Sequence, residues 1–137
     1  MKFRFIDHTA DVAFEVYGSS LKELIENATL AFYEAFVDLS KLKVDTEKSL
    51  EVEADSPDYL LFNWLNELLF MFETDFFAGK EVSVEVKENG ILKAKGRIRG
   101  GRITPEIVKT EPKAITFHKF KVEQRNGKWV AFVIVDI

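Results

Sequence analysis

Residues 59–72 read YLLFNWLNELLFMF, and only Asn63, Asn66 and Glu67 interrupt the apolar run. Ser56, Pro57 and Asp58 precede it and supply a helix start, since proline at the first helical position gives up no needed amide hydrogen. A surface helix carries one apolar stripe, whereas this segment is apolar on nearly every side. Such a helix is either central to a core or leaves a face for a partner protein. Thirteen Phe in 137 residues favour the central place. A chain of this length forms one domain, residues 1–137, and can bury about two-thirds of its unfolded surface.

The remaining elements follow from periodicity. Residues 2–6 and 12–17 alternate as strands do, flanking a tight connection over residues 7–12. After Gly18, Ser20 and Glu23 have capping-box spacing, and Leu21, Leu24, Ile25, Ala28, Phe32, Ala35 and Phe36 recur at helical intervals. The polar positions Lys22, Glu23, Glu26 and Asn27 are expected to face solvent. A polar linker over 41–47 precedes a strand at Leu50, Val52 and Ala54, and Gly79 marks the turn out of the second helix. Val82, Val84 and Val86 begin a hairpin that turns at Glu88-Asn89-Gly90 and returns through 91–98. Residues 104–112, with two prolines, read as loop. Strands over 114–123 and 128–135 close the chain around Arg125-Asn126-Gly127. The predicted fold class is α+β: mainly antiparallel strands and hairpins packed with two long helices.

Composition excludes several chemistries. There is no Cys, so disulfides, thiolate nucleophiles and Cys-ligated zinc are ruled out, and a metal would need oxygen or imidazole donors. The net charge of −4 and pI near 5.3 argue against broad wrapping of nucleic acid. No basic, small-residue leader opens the sequence, and no charge-free apolar run approaches the ~18 residues of a membrane span. A cytoplasmic location is the expectation, with no membrane partner. Arg97, Arg99 and Arg102 among Gly96, Gly100 and Gly101 form the one concentrated basic patch, which can meet a phosphate. Their spacing matches no phosphate loop, and a flexible turn with solvated arginines accounts for it better.

Candidate site residues gather at three places. Asp7, His8 and Asp11 bring proton- or metal-handling groups into one connection, although Asp and Thr there can equally serve turn hydrogen bonds. With Ile137 as terminus, Asp136 and the α-carboxylate form an adjacent anionic pair suited to a hard cation, or simply an exposed chain end. His118 on the penultimate strand reads first as an ordinary edge or core histidine.

Three motifs in order, Asp7-His8-Thr9-Ala10-Asp11-Val12, Lys113-Ala114-Ile115-Thr116-Phe117-His118 and Val133-Ile134-Val135-Asp136-Ile137, resemble the archease family across the whole chain. The resemblance implies an activator of the GTP-dependent tRNA-splicing RNA ligase, promoting its guanylylation and multiple turnover. It also implies a divalent-metal site of Asp11, Asp136 and the Ile137 carboxylate, holding Ca²⁺, Mg²⁺ or Mn²⁺ with no organic cofactor. Asp7, His8 and His118 would then neighbour that site or touch the partner, and RNA would be met only through the ligase. Two positions depart from the family pattern: Ala13, where glycine is frequent, and Arg97, where an acidic residue is common, which weakens any role for the Arg97 loop.

Two competing functions use the same residues. One is a metal-dependent phosphoesterase with His8 or His118 carrying protons; the other is a chaperone module for RNA-modifying enzymes, docking through the apolar helix. The last hairpin separates roles for His118. A two-residue turn at Asn126-Gly127 sets Phe117 against Asp136; a three-residue loop sets Thr116 against Asp136 and puts His118 on its face. The metal reading predicts the three-residue loop.

Overall fold

A computed structural model describes residues 1–7 and 11–137. Its strands are β1 (Phe3–Ile6), β2 (Asp11–Gly18), β3 (Thr46–Ala54), β4 (Phe77–Glu88), β5 (Leu92–Arg102), β6 (Ala114–Arg125) and β7 (Lys128–Asp136), and its helices are α1 (Leu21–Phe36) and α2 (Pro57–Asp75). They form a single α+β domain, as the periodicity predicts. One antiparallel sheet has the order β1-β2-β7-β6 and the other β3-β5-β4. Both helices lie against both sheets, so each has apolar neighbours on two sides. That placement explains why α2 carries no clean polar stripe: Leu60, Leu61, Trp64, Leu65 and Leu68 are all fully buried. Its outward residues are not all polar, however, since Tyr59 and Phe70 are exposed.

Local chemistry fixes the helix ends. The Ser20 hydroxyl accepts the Glu23 amide (3.1 Å), and the Glu23 carboxylate accepts the Ser19 amide (3.0 Å), so the reciprocal arm of the capping box closes one residue early. Ser56 caps α2 by accepting the Tyr59 amide. The exit from α2 is made by Phe76 in the left-handed conformation (φ 50°), where the sequence pointed to Gly79; Gly79 instead lies inside β4. The expected linker over 41–47 is shorter, because β3 already begins at Thr46.

The solvated-face expectation for α1 fails at two residues. Asn27 is buried and its side-chain amide donates to the Tyr17 carbonyl (2.7 Å); the Glu26 carboxylate accepts the Val84 amide (2.9 Å). A helix flanked by sheets on two sides meets unpaired strand amides and carbonyls there, and polar side chains satisfy them. In the core, the Trp64 indole donates to the Thr29 hydroxyl (2.9 Å), which donates to the Ile25 carbonyl (2.8 Å).

The glycine–arginine stretch is not a turn. β5 runs through it to Arg102, paired with β3 on one side and β4 on the other. A Cβ at Gly96 would fall 2.9 Å from Trp64, and one at Gly100 only 1.8 Å from the Ala78 carbonyl oxygen. These glycines serve close packing, not flexibility. Arg99 pairs with Glu81 (3.5 Å), and the Arg102 guanidinium lies over the Phe76 ring at 5.6 Å.

Candidate functional site

The larger sheet assembles the candidate carboxylates through its register. Asp11 is the first residue of β2, not part of the connection before it, and its partner across the ladder is Asp136 of β7. Residues paired in this way present their side chains on the same face, with Cβ atoms about 5 Å apart. Val12, Phe14, Val133 and Val135 belong to the core, so alternation places Asp11 and Asp136 on the face turned away from the helices. The row is completed by Ala114 of β6, opposite Asp136, and the next row is Ile6, Ala13, Ile134 and Thr116. Both aspartates are half-buried, at the end of the sheet where the chain leaves β7 for Ile137. The Asp136 carbonyl accepts the Lys113 amide (2.8 Å), which fixes the backbone on that side.

The other predicted residues are distributed around this pair. Ile137 follows Asp136 directly and is 38% exposed. Asp7 is exposed and lines, with Asp11, a surface hollow to which Glu34 and Lys109 also contribute. Neither Glu34 nor Lys109 carries a sequence signal for this place: one sits on an amphipathic helix, the other in a proline-bounded loop. The Lys109 ammonium donates to the Glu34 carbonyl (3.0 Å), which ties that loop to α1. His8, Thr9 and Ala10 lie outside the described residues. Among the described residues no three His, Asp or Glu side chains converge as a metal-holding group. Among the described residues Asp11 and Asp136 are thus paired across the ladder without a third such side chain converging on them.

The last hairpin corrects the register expectation. Arg125 opposes Lys128, so the turn is the two-residue Asn126-Gly127, with both residues at positive φ. Counting outward does not bring Phe117 to Asp136 either, because residues 117–120 stand opposite Val133 alone before pairing resumes at Thr116 and Ile134. Asp136 consequently faces Ala114, and His118 is carried into the bulge, exposed, its amide donating to the Thr116 hydroxyl (3.2 Å). The expected three-residue loop and its pairing of Thr116 with Asp136 do not form. The three added residues reverse the parity of the buried positions, from Ile115 to Phe120 and Val122, but the exposed Phe117 continues the apolar alternation of Ile115 and hides the break.

Fold and site together define a layered α+β domain, helices between two antiparallel sheets, with a cross-strand aspartate pair at the end of the larger sheet. The chain belongs to the archease family: the model of the Archease protein family matches residues 3–137. Protein archease of Archaeoglobus fulgidus is 59% identical to it over 137 residues, covering 100% of both chains. The solution structure of protein 1598 from Methanobacterium thermoautotrophicum superimposes with a TM-score of 0.88 at 34% identity, covering 98% of each chain. A crystal structure from Thermotoga maritima, described as an archease and possible chaperone, gives 0.61 at 27% identity over 96% of this chain and 94% of that one. Among the described residues no helix is long and apolar enough to cross a membrane.

Proposed function

We propose that this protein is an accessory factor that activates a GTP-dependent tRNA-splicing RNA ligase, promoting ligase guanylylation and multiple turnover, and that Asp11 and Asp136 hold a divalent cation for that task. The observation that supports the reading is the direct opposition of Asp11 and Asp136 within an archease-family chain. Carboxylates on directly opposed residues can offer oxygens to one cation from a single row of the sheet. The donor set fits a hard ion: carboxylate oxygens suit Ca²⁺, Mg²⁺ or Mn²⁺, and the carboxylate that Ile137 carries when it ends the chain adds another. Bound there, the ion would supply positive charge for phosphate groups near the ligase active site. The chain's own part is to hold that charge at a sheet end, where the strand ladder fixes both side chains and the neighbouring Ala114 leaves room. The role we assign to Asp7, exposed at the hollow that Asp11 also lines, is contact with the ligase.

The test is turnover. With ligase, GTP, divalent metal and RNA ends in excess over ligase, product should stall near one equivalent without this protein and continue with it. Asp11→Ala and Asp136→Ala should each restore the stall. Activation equal to the parent by both variants would remove the carboxylates from the mechanism, and ligation or hydrolysis of cyclic-phosphate RNA by the purified chain alone would make it an enzyme.

A further inference from the structure

The bulge of β6 builds a second surface, remote in kind from the carboxylate pair. Phe120 is buried; Phe117 stacks on it at 5.7 Å with 12° between the ring planes; Tyr59 of α2 stacks on Phe117 at 5.0 Å and 18°. The series rises from the core to solvent, with Phe117 43% and Tyr59 52% exposed. Phe62 braces it edge-on, 5.0 Å from Phe117 and 5.4 Å from Phe120. The support is fixed by the Val122 amide donating to the Asp58 carboxylate at 3.0 Å. Lys119, inside the bulge, has a φ of 61°, a left-handed conformation that costs a non-glycine residue energy. A regular strand would avoid that cost and would not lift Phe117 out.

We propose that this stack binds an unpaired base of single-stranded RNA, so that the chain itself touches the strand. A flat base continues a series of near-parallel rings, and base–aromatic stacking of this kind is tolerant of sequence. An aliphatic protein surface would have no use for the parallel arrangement. The charge agrees: β6 carries Lys119, Lys121 and Arg125 against one carboxylate, Glu123, which Lys121 and Arg125 both contact. Lys119 has no carboxylate partner among the described residues, is exposed, and lies in the bulge between Phe117 and Phe120, so it can supply charge to a backbone phosphate. The choice of RNA over DNA rests on the function proposed above; the stacking geometry does not.

Fluorescence anisotropy tests it with the intact protein and three labelled probes of equal length: oligoadenylate RNA, the matching DNA, and an abasic oligomer that keeps the phosphates. RNA should bind, and the abasic oligomer should bind roughly tenfold more weakly or worse. Tyr59→Ala and Phe117→Leu should each weaken RNA binding by roughly tenfold or more, with circular dichroism unchanged because both positions are exposed. Lys119→Ala should lower the dependence of log affinity on log salt by about one. Equal affinity for the abasic oligomer, unchanged binding by both ring variants, or no RNA binding at low salt would overturn the inference. Tighter binding of the DNA would overturn the choice of RNA. Loss of ligase activation by Tyr59→Ala with RNA binding intact would make the patch a protein-docking face and end the inference. A failed RNA titration with ligase turnover still stimulated would leave the activator reading standing and only this one fallen.

Discussion

The hairpins β4–β5 and β6–β7 are built to opposite rules. In β4–β5 the ladder is nearly unbroken, with a single one-residue shift between Gly79 and Glu81, and glycines let the sheet close onto Trp64 and Ala78. Its outer face is a charge ladder in which Lys93 contacts Glu51 and Glu53 (3.2 and 3.3 Å) and Arg99 contacts Glu81. In β6–β7 the ladder is interrupted by residues 117–120, a left-handed lysine sits inside the gap, and rings face solvent. Regular pairing with exposed ion pairs is scaffold, since such pairs contribute little individually. The irregular hairpin carries the exposed aromatic stack and, at its far end, Asp136. Strain of this kind clusters where a surface does more than hold the fold, which is the part proposed for this hairpin.

Closing the regular hairpin's glycine contact should produce the largest effect. Gly100→Ala puts a methyl group into the Ala78 carbonyl, so urea unfolding should show a loss of about 3 kcal/mol. A loss within experimental error would mean that the β4–β5 packing is loose. Next comes the core between the sheets: Thr29→Val leaves the Trp64 indole without its acceptor, a cost of about 1–3 kcal/mol. In the irregular hairpin the sign reverses, because Lys119→Gly removes a left-handed penalty and should raise stability by about 1 kcal/mol. Destabilisation there would show that the lysine side chain packs as well as protrudes.

The smallest effect concerns acid. The Tyr17 hydroxyl donates to the Glu15 carboxylate at 2.5 Å and Arg4 lies 3.3 Å away, so Glu15 titrates below its ordinary value, with the tyrosine bond the main cause. A depressed carboxylate contributes stability above the unfolded pKa of about 4.3 and loses it as pH falls through the lower folded value. Glu15→Gln should therefore melt lower than the parent at neutral pH and lose less on acidification. Parallel melting curves against pH would contradict the assignment.

Much of this architecture is legible in the sequence. The capping residues, the period of α1, the all-round apolar α2 and the Asn-Gly turns each have a local cause that survives folding. What was not legible depends on neighbours distant in the chain. Gly96 and Gly100 look like turn residues until Trp64 and Ala78 are seen against them, and Asn27 looks solvated until Tyr17 presents its carbonyl. The bulge at 117–120 shifts the buried positions from Ile115 to Phe120 and Val122, a change of parity that Phe117, apolar and in phase with Ile115, masks in the sequence. The motif resemblance named Asp11 and Asp136, but only the β2–β7 register makes them opposite.

That register underlies the central claim, that the two aspartates together hold a divalent cation, and calorimetry with Mn²⁺ addresses it most directly. The parent should bind, while Asp11→Ala, Asp136→Ala and a chain extended beyond Ile137 should each lose most of the affinity with unchanged circular dichroism. Affinity unchanged in all three would contradict it.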